Sequence, residues 1–239
     1  MKMIKHLFIS LALLCLCGPA ASAASSTYAF AGTTNGGSSS ADAKFVTGNG
    51  TITVTLDDLL SNPSNVGQLL SDIFFTPSGG TTSSASISSA SGTRLTVASG
   101  GSYTVGSPVT PNWSLSSPSS GTLLLTFAGG PPDHLIIGTS SNGTYTGGTY
   151  SNANASIAGN GPHNPFLESG VTFNLAVPGI TAANTITSAT FSFGTTAGDN
   201  HPGTLVPEAD AITLFLLGTL LTGVGFLRRP FSKRQAVKI

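Results

Sequence analysis

The chain is predicted to be all-β: a single antiparallel β-sandwich, jelly-roll or immunoglobulin-like, with one short helix, between an N-terminal signal peptide and a C-terminal transmembrane helix. Three observations predict it. Between residues 24 and 205 large side chains alternate with small polar ones, the period of a half-buried strand. Gly- and Pro-rich clusters interrupt the alternation at short intervals. Only 8% of the 239 residues are charged, against roughly a quarter in ordinary globular domains, so the charged amphipathic helices of an α/β enzyme have nothing to be built from.

The clearest strands follow directly. Ile52, Val54 and Leu56 alternate with Thr51, Thr53 and Thr55; Val171, Phe173, Leu175 and Val177 alternate with Thr172, Asn174 and Ala176; Ala189, Phe191 and Phe193 alternate with Thr190 and Ser192. Shorter runs at Thr93–Ala98, Asn112–Ser116, Leu123–Phe127 and His134–Gly138 bring the expected total to eight to ten strands in one domain. After Pro63, the spacing of Val66, Leu69, Leu70, Ile73 and Phe74 predicts one face of a short helix, capped by Ser64 or Asn65 and lying as a lid over the sandwich. Thr33–Ser40 and Ser78–Gly92 are low in complexity and read as flexible loops. About a third of the domain is Ser or Thr, as exposed strand faces and turns favour, and these hydroxyls are also candidate acceptors for O-glycosylation.

Charge divides the chain. Residues 24–206 carry two basic against seven acidic side chains, net −5, while Lys2 and Lys5 open the chain and Arg228, Arg229, Lys233, Arg234 and Lys238 close it. Nothing supplies the basic surface that a nucleic-acid partner requires. Residues 1–23 have the grammar of a secretory signal: a basic start, an apolar run from Leu7 to Leu16, and Ala21-Ser22-Ala23, which places cleavage after Ala23. Both cysteines, Cys15 and Cys17, would leave with it, which removes disulfides and thiolate metal sites from the exported domain. At the other end, residues 211–227 form an uncharged apolar run followed by Arg228 and Arg229. This reads as a transmembrane helix with a cytoplasmic basic tail, 228–239, and the domain outside.

Candidate chemistry inside the domain is sparse. Asp57 and Asp58 are neighbours at a strand end and would point to opposite faces, which suits turn duty better than paired catalysis. A zinc site from His134, His163 and His201 has no spacing signature, calcium would need a denser array of oxygens, and no serine sits in a nucleophile elbow. No metal or other cofactor and no enzymatic activity are therefore expected. A glycan hydrolase would need two carboxylates across a cleft, about 5–9.5 Å apart. The segment Tyr145-Thr146-Gly147-Gly148-Thr149-Tyr150 predicts a two-residue hairpin that sets Tyr145 beside Tyr150. With Trp113 these tyrosines are candidates for stacking on sugars, provided that they lie flat and exposed. His163 and Asn164 follow a Pro-rich turn and are further candidates for ligand binding.

The ending Val206-Pro207-Glu208, an apolar helix, then Arg228-Arg229, resembles the PEP-CTERM sorting signal of Gram-negative bacteria. Two departures stand out: Ala209 replaces the second proline of the box at 206–209, and ten residues follow Arg229. The resemblance implies recognition by an exosortase, a membrane-embedded cysteine protease-like transpeptidase. It also implies export across the inner membrane, with the domain anchored outside or, after processing, at the cell surface or in the extracellular matrix. Val66–Ser71, Pro162–Phe166 and Phe191–Thr195 are similar to phrases of small surface proteins of that class. The function expected is a non-enzymatic surface protein of the envelope or exopolysaccharide matrix, whose partners are the membrane, an exosortase and an exopolysaccharide. The alternative is a displayed carbohydrate-binding module.

Overall fold

The computed structural model describes residues 23–127, 129–159, 161–195 and 199–207. Cys15, Cys17, Ala21, Glu208, the 211–227 helix, Arg228 and Arg229 lie outside them. No helix among the described residues is long and apolar enough to cross a membrane.

The domain is all-β. Among the described residues fourteen strands, β1 (Ser25–Thr34), β2 (Gly37–Gly48), β3 (Thr51–Asp58), β4 (Leu70–Pro77), β5 (Ser86–Val97), β6 (Tyr103–Val109), β7 (Trp113–Ser116), β8 (Leu123–Phe127), β9 (Ile136–Ile137), β10 (Phe166–Glu168), β11 (Val171–Ala176), β12 (Ile186–Phe193), β13 (Asn200–Pro202) and β14 (Thr204–Val206), join in one sheet. The sheet is mixed, not purely antiparallel, because β9 and β10 run parallel, with Leu167 beside Ile136. One half runs β14-β1-β2-β3-β11 and continues onto the first half of β5; the other contains β12, β4, β8, β9 and β10 and takes up the second half of β5, with β6 along its flank. At the opposite seam, residues 200–206 do the same work: β13 pairs with β12 and β14 with β1. Gly203 makes that corner, where a Cβ would stand 2.7 Å from the Phe191 ring.

Alternation places one side chain in two inside. Ala41, Ala43 and Phe45 of β2, Ile52, Val54 and Leu56 of β3, and Val171, Phe173 and Leu175 of β11 are fully buried. They meet residues of the other half: the Phe45 and Phe75 rings are 5.0 Å apart and those of Trp113 and Phe173 5.3 Å. A second, smaller cluster gathers Leu69, Leu95, Leu135, Ile137, Tyr150 and Phe166.

The expected helix after Pro63 is not there. Val66–Gln68 form one 3-10 turn, closed by a capping box between Asn65 and Gln68, and β4 follows at once. Ile73, Phe74, Phe75 and Thr76 are β-branched or aromatic and favour a strand, and Ser71, Ile73, Phe75 and Pro77 point inward in strict alternation. The Gln68 side chain then donates to the Ser38 carbonyl at 2.7 Å, so the turn ties down the β1–β2 hairpin and is no lid. The two low-complexity stretches are also largely strand: Thr33–Ser40 spans the β1–β2 hairpin, and Ser86–Gly92 belongs to β5.

Candidate functional site

The two tyrosines do not form a ladder: residues 141–147 are turns and bends. Their hydroxyls instead donate to successive carbonyls, Tyr145 to Ile137 at 2.7 Å and Tyr150 to Gly138 at 2.8 Å. Tyr150 is 1% exposed and Trp113 7%. A flat stacking platform is therefore not what these residues make, because the ring faces are spent on the core. Burial pushes both tyrosine pKa values up.

Beneath Tyr145 lies a buried polar junction. The Ser169 amide donates to the Tyr145 hydroxyl at 2.9 Å, and the Ser169 hydroxyl exchanges bonds with the backbone of Asp58, accepting from its amide at 3.0 Å and donating to its carbonyl at 2.8 Å. The Asp58 side chain is 1% exposed and accepts from the Leu60 amide at 3.0 Å. Burial raises its pKa well above the carboxylate range, against the opposing pull of the Leu60, Leu70 and Gly138 amides. Gly138 is required here, since a Cβ would collide with the Leu60 carbonyl oxygen. This arrangement fixes loops, as turn duty for Asp58 anticipates.

Asp57 faces Asp42 across the β2–β3 ladder. Burial, then the charge and hydrogen bond of Asp57, raise the Asp42 pKa to about 6. Asp42 and Asp57 are direct cross-strand partners, whereas the two carboxyls of a glycosidase must stand apart to admit a sugar and water. A carboxyl raised on folding contributes stability that is complete below its ordinary value of 3.8 and is lost as pH rises through about 6. Asp57→Asn is therefore expected to stabilise the domain at pH 8 by ~1 kcal/mol, a figure discounted because the pair is half exposed. At pH 4 the gain vanishes. Urea titrations at the two pH values check this.

His134 and His163 come together, their rings 5.8 Å apart, while His201 is held elsewhere by Asp199 at 2.8 Å. Among the described residues no group of three His, Cys, Asp or Glu is placed to hold a metal ion. Burial, then the neighbouring His163, lowers the His134 pKa to about 4 against the pull of Asp133. Asp133, at a φ of 62°, forms a two-point ion pair with Arg94 of β5, whose Nε donates to Oδ1 at 2.8 Å. Asn164 is a structural clamp. Its Oδ1 accepts from the Val97 amide at 2.9 Å, and its Nδ2 donates to the Val97 and Ile157 carbonyls at 2.8 and 3.1 Å.

Two surface depressions were not visible in the sequence. One, of about 400 Å³, lies where Asn35-Gly36, Asn65–Gly67 and Phe193–Thr195 converge beside Asp199. Val66–Ser71 and Phe191–Thr195 thus meet there, backbone on backbone, with Gly194 against Gly67. The other, of about 440 Å³, crosses the outer face of β4, β8 and β12: Phe74, Leu124 and Pro118 give an apolar floor, and Asp72, Thr126, Thr190 and Asn200 a polar rim. Two-residue alternation could have flagged Phe74 as the outward member between Ile73 and Phe75, had the run not been taken as helical.

Of the sorting residues, Val206 ends β14, and Pro207 follows it exposed. Ala23, the last residue of the expected signal, is exposed just before β1.

No family model matches the chain, and no curated protein does. Among solved structures, a chain described as "Pore forming protein" is similar over 78% of this chain and 88% of its own length, with 9% identity and a TM-score of 0.23. At that level the likeness carries no functional argument.

Proposed function

We propose that this is a non-enzymatic, exported surface protein of a Gram-negative envelope. Residues 1–23 deliver it, and the box at 206–209, the helix at 211–227 and the basic tail anchor it or hand it to an exosortase. The two halves of the sheet act as the layers of a β-sandwich displayed towards the exopolysaccharide matrix. The supporting observation is the pairing of β1 with β14, which sets Thr27 opposite Val206. The chain thus enters and leaves the domain at one place, as suits a body carried on a single tether. Fractionation of a chain tagged within the Gly100-Gly101 turn tests this. The tag is expected in the envelope and surface fractions, and a soluble cytoplasmic protein would overturn the proposal.

The carbohydrate-binding alternative loses Tyr150 and Trp113, but the groove over Phe74 supplies another place for it. An apolar floor can cover the C–H face of a sugar while the polar rim groups take its hydroxyls. On that reading Phe74→Ala weakens retention of the purified domain on the host's own exopolysaccharide at least tenfold, measured by affinity electrophoresis. Unchanged retention would remove the groove from consideration.

A further inference from the structure

Among the described residues four large hydrophobic side chains are exposed, and two of them, Leu205 at 52% and Val206 at 41%, are consecutive on β14. A strand only three residues long, with every side chain exposed, gains almost nothing from burial and, among the described strands, is held by its backbone ladder to β1. Among the described residues no strand pairs with its other edge. Pro207 then ends the ladder, because it has no N–H to donate, and it keeps Val206 extended. Extended, exposed and weakly held, with one free edge, is the form in which peptide-cleaving enzymes take their substrates, by adding the peptide as a strand and seating alternate side chains.

We infer that β14 is the docking strand for the membrane enzyme that processes the C-terminus, and that it must leave β1 before cleavage. The inference rests on the sorting reading of residues 206–239. The chain continues from this strand straight into the box, so the enzyme meets Leu205 and Val206 before any other part of the domain. Folding thereby meters processing, because the fraction of time that β14 is unzipped sets the rate. Gly203 is the hinge between β13, which stays paired with β12, and the departing strand.

Ala29 and Thr204 are partners across the ladder. In Ala29→Cys/Thr204→Cys the new pair is the sole disulfide available once Cys15 and Cys17 have left with the signal. A pulse-chase in an exosortase-positive host follows loss of a C-terminal tag. The oxidised variant is expected to be trimmed at least tenfold more slowly than wild type, and dithiothreitol in the medium restores the rate, which also shows that the variant folds. Leu205→Asn, a change to an exposed side chain, is expected to slow trimming severalfold. Wild-type rates for the oxidised pair would overturn the inference while leaving the sorting reading intact. An untrimmed wild-type chain would overturn the sorting reading, and the inference with it.

Discussion

Phe75→Ala is expected to destabilise the domain by about 3–5 kcal/mol, the range for truncating a fully buried aromatic ring. Phe75 is 0% exposed, stands opposite Leu123 and Ala189 on the neighbouring strands, and packs on Phe45 from the other half of the sheet. The loss is both transfer energy and an unfilled cavity, since the rings around it are fixed by strands and cannot collapse inward. Domains of this size have only about 5–15 kcal/mol in reserve, so the variant should sit near the threshold of folding. A urea titration of residues 24–207 reads the effect as a lower midpoint at unchanged slope. A midpoint within error of wild type would mean that Phe45 and Phe75 do not join the two halves of the sheet.

Glu208→Ala is expected to abolish C-terminal processing and leave the protein anchored and displayed. On the sorting reading proposed above, Glu208 and Asp210 would put charge at the outer interface, where entry into hydrocarbon is costly, and so would hold the box just above the membrane. Ala209 leaves the chain freer there than a second proline would, so Ala209→Pro is expected to accelerate trimming. The pulse-chase that follows the C-terminal tag reads both. If Glu208→Ala is trimmed at the wild-type rate, the residue is only an interfacial charge and the sorting assignment weakens accordingly.

The strands most legible in the sequence are those whose inward residues are large: β3, β11 and β12 alternate plainly, and all three are present in the sheet. β1 and β2 escaped because their inward positions include Ala41 and Ala43, too small to mark a period, although Asn35-Gly36 and Asn49-Gly50 are the strongest short hairpin signals there are. Both dipeptides do form the turns, joining Thr34 to Gly37 and Gly48 to Thr51. At β4 two periods competed: Val66, Leu69, Leu70, Ile73 and Phe74 fit a helix as well as a strand, and tertiary pairing with β8 and β12 decided it. The tyrosines failed for a different reason. Spacing can place two rings near each other, but not say whether their faces meet solvent or core. The groove over Phe74 and the pairing of β14 with β1 are products of topology, since they join residues from strands far apart in the chain.

The most direct test of the account is the intact mass of the protein recovered from the cell surface. Export and processing predict a chain that begins at Ala24 and lacks the segment beyond the box, with any added glycan visible as a regular mass increment. A single mass equal to residues 1–239, with the N-terminal segment still attached, would contradict it.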